Sequence, residues 1–411
     1  MNILPIVKTL QKVIKQHHSL NDSFYESKLN AEQKATCYGV IRWYLQLEAI
    51  LKKLLHEPLK EKNLTVALHL YIGLFQIRYG DKPNFAVVKE VVNSIKQSKF
   101  SWAAGLTNKL LRRFISEQEE IINSIKKDLT AYYAHPWWII QQLNKNTAIL
   151  EANNTQAPMT LRVNLQQTTR EAYLEQLASV SIEALPLTSS PAALQLKKPV
   201  GVEELPGFFE GSCSIQDEAG QLVVKQLNLE PGLRVLDACC APGSKTGHIL
   251  ETEPQIARLV AIDSDAERLK KVNDNLKRLQ LNTKVTELIA ADANAITNWW
   301  DQELFDRILI DAPCSASGVI RRHPDIKLLR RETDIAALAQ RQHELLTTLS
   351  QLLTINGRLV YSTCSIFEEE NTAIIKQFCQ QHSFVLEYEQ QLTPTIEGHD
   401  GFYIATLIRN S

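Results

Sequence analysis

The stretch Arg234-Val235-Leu236-Asp237-Ala238-Cys239-Cys240-Ala241-Pro242-Gly243-Ser244-Lys245-Thr246 joins a short apolar strand to a helix through a Pro-Gly turn. Further apolar runs of strand length follow, and stretches with helical periodicity separate most of them. They lie at 258–263, 285–290, 305–311, 358–363 and 402–408. This alternation predicts that residues 231–411 form a Rossmann-like α/β domain, with a doubly wound parallel sheet and right-handed crossovers.

Two differently patterned regions precede this domain. Residues 1–145 carry apolar side chains three and four positions apart, as in Leu64, Ala67, Leu68 and Tyr71, which predicts an all-α domain. Residues 146–230 contain strand-like runs at 161–164 and 193–196 around a helical pattern at 170–178, with prolines between them. We therefore expect a small α+β subdomain between the helical and the Rossmann-like domains.

The composition excludes several classes of protein. Hydrophobic residues make up 44% and charged residues 22% of the 411 positions, so wholesale disorder is excluded. No apolar run approaches the ~18–20 residues that a membrane helix needs, and the N-terminus lacks the features of a secretory signal. The seven cysteines include no C-x-x-C pair, which argues against both a disulfide scaffold and a structural zinc site. We therefore expect a cytoplasmic protein without a bound metal, and a monomer by default.

The near-neutral net charge of −1 hides an asymmetry along the chain. Residues 1–145 hold 21 Lys and Arg against 12 Asp and Glu, whereas the remainder holds 24 against 34. A basic domain beside an acidic one suits a polyanionic partner. A lysine-rich helical surface that is merely solvated is the alternative.

Acidic residues stand at the predicted carboxyl ends of successive strands, where ligands bind in open α/β sheets. The first loop contains only Gly243, so it matches neither G-x-G-x-x-G nor the P-loop pattern, and pyrophosphate binding is not supported. Asp263 stands where a carboxylate reaches ribose hydroxyls, and Asp292 where a side chain can meet an adenine edge. The set suits an adenosyl ligand without phosphates, S-adenosylmethionine. Helix N-caps are the alternative for each aspartate.

Two cysteines, Cys314 and Cys364, also follow predicted strands on the ligand side of the sheet. A thiolate that adds to C6 of a cytosine turns C5 into a nucleophile that can accept a methyl group, which is covalent catalysis. A carboxyl group near N3 would stabilise such an adduct, and Asp311 is the candidate. Because the reactive species is the thiolate, nearby positive charge would favour it. The residues by themselves leave open which cysteine attacks.

Several long motifs carry a family resemblance. They are Asp-Ala-Cys-Cys-Ala-Pro-Gly-Ser-Lys-Thr (237–246), Asp-Ala-Pro-Cys-Ser-Ala-Ser-Gly (311–318), Arg-Arg-His-Pro-Asp (321–325) and Tyr-Ser-Thr-Cys-Ser (361–365) followed by Glu-Glu-Glu-Asn (368–371). The chain resembles the RNA 5-methylcytosine methyltransferases, and within them the RsmB/Fmu (Sun) family, whose members methylate a cytidine of bacterial small-subunit (16S) rRNA. The resemblance extends over essentially the whole length and implies a NusB-like fold for the N-terminal domain.

The resemblance implies roles at matching positions. Cys364 corresponds to the nucleophile, and Cys314 is implied to help release the product. The cofactor is S-adenosylmethionine. The residues implied to bind it are Cys239, Cys240, Ala241, Pro242, Gly243, Ser244, Lys245, Asp263, Asp292 and Asp311. The sequence departs from the family pattern at Ser244, where Gly is usual, and at Cys240, where Ala is usual.

The basic residues that follow the Cys314 motif are candidate RNA contacts. They are Arg321, Arg322, His323 and Lys327, with Arg330 and Arg331 beyond them. A related methyltransferase acting on tRNA or DNA is one alternative to an rRNA enzyme. A non-catalytic rRNA-binding assembly factor is the other, although the presence of both cysteines and Asp311 argues against it.

Overall fold

The computed structural model describes residues 1–281 and 283–410, which fold into two compact units. The first unit consists of residues 1–156 together with 320–332. The second consists of residues 157–319 together with those from 333 onward. The chain therefore leaves the second unit after Val319 and returns to it at Thr333.

The first unit is helical throughout its described residues, as its periodicity predicts. Its core surrounds the fifth helix, which is buried on almost every side because its sequence is apolar all round. The third helix begins with a capping box, in which Asn30 and Gln33 satisfy each other's backbone amides. The helices are α1 (Leu4–Gln16), α2 (Leu20–Glu26), α3 (Ala31–Arg42), α4 (Tyr44–Leu54), α5 (Leu64–Tyr79), α6 (Asn84–Lys96), α7 (Ala104–Ile125), α8 (Leu129–Tyr133), α9 (Trp137–Gln142) and α10 (Thr147–Asn153).

The second unit begins with a small antiparallel sheet, which confirms the α+β character of this region. Its strands are β1 (Met159–Val163), β2 (Ala184–Pro186), β3 (Ala193–Leu196) and β4 (Cys213–Ile215), in the order β2-β3-β1-β4. Helix α11 (Arg170–Ser179) packs on this sheet through Tyr173 and Leu177. Strands β2 and β4 were not predicted, because three residues are too few to show an alternating pattern.

The larger sheet has seven strands in the order β10-β11-β9-β8-β5-β6-β7. The strands are β5 (Arg234–Ala238), β6 (Arg258–Asp263), β7 (Thr286–Ala290), β8 (Phe305–Asp311), β9 (Leu353–Thr363), β10 (Phe384–Leu392) and β11 (Phe402–Arg409). Helix α15 (Ile326–Leu329) lies in the 320–332 segment of the first unit, and the remaining helices are α12 (Glu218–Lys225), α13 (Ser244–Thr252), α14 (Ala266–Arg278), α16 (Glu332–Ser350) and α17 (Thr372–Gln381).

Helices cover both faces of the larger sheet, as a doubly wound fold requires. Along β6, Leu259 and Ala261 point into the core layer beneath α12, α13 and α14. Val260 and Ile262 point into the opposite layer, beneath α16 and α17. A strand that is buried on both faces reads as a continuous apolar run, which is why β6 was recognisable in the sequence.

The sheet differs from the prediction at one edge. Strands β5 to β9 are parallel, but β11 runs antiparallel to both β9 and β10. The segment 393–401 joins β10 directly to β11 without a crossover helix. Antiparallel neighbours can be joined by a short loop, whereas a parallel pair needs a crossover. The expectation of a wholly parallel sheet was therefore wrong for the last strand.

Candidate active site

The loop between β5 and α13 turns sharply. Cys239 and Gly243 both have left-handed backbone angles, with φ of 61° and 97°. A Cβ on Gly243 would lie 2.9 Å from Val272 Cγ1 and 3.0 Å from Val272 Cα, so glycine is needed both for the angle and for the packing of the loop on α14. Cys240 is buried in the apolar core beside this turn, which is consistent with a packing role for that departure from the family pattern.

Asp263 holds this loop in place from the end of β6. It is buried, and its two carboxylate oxygens accept hydrogen bonds from the backbone amides of Ala241 (3.1 Å) and Asp265 (3.0 Å). A carboxylate has about four acceptor positions, so Asp263 keeps capacity for hydroxyl donors of a ligand. Asp292 follows β7, is exposed, and accepts a hydrogen bond from the amide of Asn294 at 3.0 Å.

Asp237, near the carboxyl end of β5, is fully buried. Its Oδ2 accepts a hydrogen bond from Thr246 Oγ1 at 2.7 Å, whereas its Oδ1 has no partner among the described residues. Burial raises the pKa of Asp237 to about 7, and the hydroxyl of Thr246 only partly offsets this. An unpartnered buried oxygen is costly by itself, so it marks a place where a polar ligand group would fit.

The two candidate cysteines meet at the ends of adjacent parallel strands. In the pairing of β8 with β9, Asp311 lies opposite Ser362, so the loops that follow run side by side. The sulfur atoms of Cys314 and Cys364 lie 3.4 Å apart. The hydrogen bond with Cys364 and burial raise the pKa of Cys314 well above its ordinary value, and the charges of Cys364 and Glu370 act in the same direction.

Asp311 connects the cysteine loops with the loop after β5. Its Oδ2 accepts a hydrogen bond from Lys245 Nζ at 2.6 Å, and its Oδ1 accepts one from Ser362 Oγ at 2.9 Å. The Lys245 ammonium also lies 5.2 Å from the centre of the Phe402 ring. The Asp311 side chain is 30% exposed, so it remains accessible to a ligand. The predicted set Lys245, Asp311, Cys314 and Cys364 is therefore brought into one place.

Glu370 is a residue whose role sequence reasoning missed. It is fully buried between the two cysteine loops, whereas the neighbouring Glu368 and Glu369 are exposed. Three consecutive glutamates give no sign of which one points inward, because the segment is a short 3₁₀ turn without amphipathic periodicity. Asn371, the next residue, is also buried and accepts a hydrogen bond from Thr363 Oγ1 at 2.6 Å.

The predicted RNA-contact segment lies in the helical unit. Arg321 is 1% exposed, and its carbonyl accepts a hydrogen bond from Arg42 Nη2 at 2.8 Å. Lys327 is 3% exposed and donates to the carbonyl of Arg42 (3.0 Å) and to Asn154 Oδ1 (2.6 Å), and burial holds its pKa well below the ordinary value. A phosphate contact needs an accessible cation, so this placement argues against direct RNA contact by these two side chains.

The other predicted contacts of this segment are more accessible. Arg322 and His323 are half-buried, as is Arg330, and Arg331 is exposed. A run of basic residues in the sequence could not show that residues 320–332 pack into the helical unit. Within the part of the chain that the structure describes, no group of three or more His, Cys, Asp or Glu side chains is arranged to hold a metal ion. Across residues 1–281 and 283–410, no helix has the length and apolarity that a bilayer crossing requires.

The sequence matches three protein families in succession. Residues 5–116 match the NusB family, and residues 135–203 match the ferredoxin-like domain of RsmF/B-like methyltransferases. Residues 224–408 match the family described as 16S rRNA methyltransferase RsmB/F. These matches confirm the predicted fold class, which is a Rossmann-like methyltransferase domain behind a NusB-like domain and a small α+β subdomain.

Known proteins resemble the chain over nearly its whole length. A probable ribosomal RNA small subunit methyltransferase B of Coxiella burnetii is 44% identical, and the match covers 98% of this chain and 97% of the relative. Ribosomal RNA small subunit methyltransferase B of Pseudomonas syringae pv. tomato is 42% identical over 99% of this chain and 96% of the relative. The crystal structure of PH0851 superposes with a TM-score of 0.79 over 99% of this chain and 97% of that one, at 24% identity, which supports the fold alone.

Proposed function

Because the chain belongs to the 16S rRNA methyltransferase RsmB/F family, we propose that it transfers a methyl group from S-adenosylmethionine to C5 of a cytidine in small-subunit rRNA. The single observation that carries the choice of C5 is the pair of thiols 3.4 Å apart beside Asp311. Carbon C5 of cytosine is too weak a nucleophile to react unaided, and a transient thiol adduct at C6 overcomes this. Methylation of an exocyclic nitrogen or a ribose hydroxyl would have no use for two adjacent thiols.

The residues at the carboxyl end of the sheet fit S-adenosylmethionine. When bound, this cofactor supplies an electrophilic methyl group on a cationic sulfur. Residues 239–245, Asp263, Asp292 and Asp311 would hold it. Its ribose hydroxyls and its amino group are hydrogen-bond donors, which match the free acceptor capacity of Asp263 and the unpartnered Oδ1 of Asp237.

The proposed reaction begins at Cys364. Its thiolate forms a bond with C6 of the target cytosine, and the electron pair of the C5–C6 double bond shifts so that C5 becomes nucleophilic. C5 would then take the methyl group that bound S-adenosylmethionine supplies, and the cofactor would leave as a neutral thioether. The proton on C5 then passes to solvent water, its electron pair re-forms the C5–C6 double bond, and the bond between C6 and Cys364 Sγ breaks to release the thiolate. In this proposal, Cys314 assists this last stage.

We propose that Asp311 stabilises the adduct. In its protonated form, the Asp311 carboxyl group would donate a hydrogen bond to N3 of the cytosine, which favours electron flow into the ring as the adduct forms. Lys245 and Ser362 fix the orientation of this carboxyl group through the two hydrogen bonds described above. In this proposal, the cofactor loop and the base-binding group are therefore linked through one buried lysine.

The helical unit is the proposed RNA-binding part. Residues 1–145 carry the excess of basic side chains, and phosphate contacts of this kind supply affinity without reading the base sequence. The target base must leave its stack before a thiol can reach C6. We propose 16S rRNA as the substrate because the relatives that match over the full length are named as small-subunit rRNA methyltransferases.

Transfer of a radiolabelled methyl group to unmodified 16S rRNA tests the proposal. We expect the label in 16S rRNA, and we expect digestion to nucleosides to recover it as 5-methylcytidine. Unmodified tRNA and a cytosine-containing DNA duplex serve as matched acceptors and should stay unlabelled. Label in a different nucleoside would contradict the C5 assignment, and label in tRNA or DNA but not in rRNA would contradict the substrate.

A further inference from the structure

Glu370 is a buried carboxylate that contacts both cysteine loops at once. Its Oε2 accepts hydrogen bonds from Ser315 Oγ and Ser365 Oγ, both at 2.5 Å. Its Oε1 accepts a hydrogen bond from the Ser315 backbone amide at 2.7 Å and one from Gln342 Nε2 at 3.1 Å. Four donors from two loops and helix α16 therefore converge on one side chain.

The residues that Glu370 holds are the immediate neighbours of the two thiols. Ser315 follows Cys314, and Ser365 follows Cys364, so the carboxylate holds the backbone and side chain of Ser315 and the side chain of Ser365, each next to a cysteine. Further contacts join the same loops: the amide of Gly318 donates to the Cys364 carbonyl at 2.9 Å, and Ser317 Oγ lies 3.0 Å from Ser365 Oγ. A hydrogen-bond network centred on Glu370 therefore joins the two loops whose sulfur atoms lie 3.4 Å apart.

We propose that Glu370 is a positioning residue for methyl transfer, which clamps the two cysteine loops so that Cys314 and Cys364 stay within contact distance of each other. This inference rests on the proposed function for its catalytic consequence, but the clamp itself can be measured without it. Burying a carboxylate is costly, and four hydrogen bonds, two of them from hydroxyl groups, offset that cost.

The negative charge of Glu370 also affects the protonation of Cys314. Together with the contact with Cys364 and with burial, it raises the pKa of Cys314, which keeps this group as a neutral thiol. A neutral thiol at 3.4 Å can donate a hydrogen bond to a thiolate on Cys364. The negative charge of Glu370 therefore favours the protonated form of Cys314.

The variants Glu370→Gln and Glu370→Ala distinguish the effect of the hydrogen bonds of Glu370 from the effect of its negative charge. In the glutamine variant, the carbonyl oxygen can accept from Ser315 N and Gln342 Nε2, while the amide nitrogen donates to the two serine hydroxyls after they rotate. The alanine variant loses all four hydrogen bonds. Glu368→Ala removes an exposed carboxylate from the same turn and is the matched control.

The primary test is the rate at which diamide oxidises Cys314 and Cys364 to a disulfide, with the linked peptide quantified by mass spectrometry. Diamide is reduced to the corresponding hydrazine as the two thiols lose their protons and join. We expect Glu370→Ala to slow this reaction about tenfold or more, because the effective concentration of one thiol beside the other falls. Glu370→Gln should stay within about threefold of wild type, and Glu368→Ala should equal it.

Two further measurements test the effect of Glu370 on methyl transfer and on the protonation of Cys314. Glu370→Ala should lower kcat for methyl transfer by about a hundredfold with little change in the KM for S-adenosylmethionine, as expected for a misplaced reacting group. In Glu370→Gln, alkylation of Cys314 by iodoacetamide should have its midpoint at a lower pH than in wild type, because the charge that raises its pKa is gone. A folded Glu370→Ala protein that oxidises at the wild-type rate would overturn the clamp.

The double variant Ser315→Ala/Ser365→Ala covers the case in which Glu370→Ala does not fold. It removes both hydroxyl donors to Oε2 while the carboxylate keeps two partners, so the disulfide rate should fall several-fold, and an unchanged rate would equally overturn the clamp. The oxidation assay needs neither RNA nor methyl transfer. A wild-type protein that forms the disulfide normally but methylates no RNA would therefore contradict the proposed function and leave the clamp standing.

Discussion

The sulfur atoms of Cys314 and Cys364 lie 3.4 Å apart although the residues are 50 positions apart in the chain. Each follows one of two adjacent parallel strands, β8 and β9, whose ends are aligned by the pairing of Asp311 with Ser362. Adjacent parallel strands bring their carboxyl ends to the same edge of a sheet. This arrangement places two thiols within reach of one base, and it leads to the following predictions.

Replacement of the proposed nucleophile should abolish methyl transfer. We expect Cys364→Ala to reduce transfer of a tritiated methyl group to 16S rRNA by about a thousandfold or more, since loss of a covalent nucleophile removes the adduct entirely. Cys379→Ala, in helix α17 away from the paired thiols, should retain wild-type activity. Undiminished transfer by Cys364→Ala would mean that another group attacks the base.

Replacement of the second thiol should trap the RNA. We expect Cys314→Ala to form the bond between Cys364 and C6 but to release the product slowly, so that a protein–RNA complex survives denaturing electrophoresis. The double variant Cys314→Ala/Cys364→Ala should show no such complex. Absence of a denaturant-resistant complex with Cys314→Ala alone would contradict the release role of Cys314.

Lys245 should contribute to the rate of methyl transfer through its hydrogen bond to Asp311. Lys245→Met keeps much of the side-chain volume and removes the ammonium group that donates to Asp311 Oδ2 at 2.6 Å. A hydrogen bond to a charged group is worth about 1.5–3 kcal/mol, so methyl transfer should fall by about ten- to a hundredfold. Lys270→Met, which breaks an exposed ion pair on helix α14, is the matched control and should leave the rate unchanged.

A buried ion pair should stabilise the joint between β1 and α13 of the second unit. Arg162 and Glu251 are 1% and 6% exposed, and two hydrogen bonds of 2.8 Å join them. Arg162 Nη1 also donates to the carbonyl of Ser244, at the start of α13.

Arg162→Met leaves Glu251 buried without its partner and should lower the free energy of unfolding by about 3–5 kcal/mol. Lys197→Met, which breaks the exposed pair with Glu183, should change it by less than about 1 kcal/mol. Denaturant unfolding of the two variants beside wild type measures the difference. Equal effects of the two substitutions would contradict the role assigned to Arg162.

Asp237 should make stability depend on pH. Its pKa is raised from 3.8 to about 7 by burial, so the folded state holds a proton that the unfolded state releases above pH 4. Stability therefore falls as the pH rises from about 4 to about 7. Asp237→Asn removes this loss, so its stability relative to wild type should increase between pH 5 and pH 8, by about 2–3 kcal/mol. A difference that is independent of pH over this range would contradict the raised pKa.

Much of the site could be predicted because it lies where strands end. The apolar runs of β5, β6 and β8 are unambiguous, so Asp237, Asp263, Asp311 and Cys314 could be assigned to one edge of the sheet. The loop around Gly243 was recognisable because its Pro-Gly turn stands between a strand and a helix. By contrast, β10 lies at the edge of the sheet with three consecutive exposed residues and a single buried one, and β2 and β4 are three residues long, so these strands give weak signals.

The sequence by itself determined the order of the domains, the doubly wound α/β class and the set of polar residues beside the strand ends. It could do so because a strand that is buried on both faces has a continuous apolar sequence, and because Pro and Gly mark the turns. Only the tertiary structure decided which charges are buried. Glu370 turns inward between the cysteine loops while Glu368 and Glu369 do not, and Lys327 is buried although it stands among basic residues. The burial of a charge depends on partners that are distant in the chain, such as Ser315 for Glu370 and Arg42 for Lys327, and no local pattern encodes them.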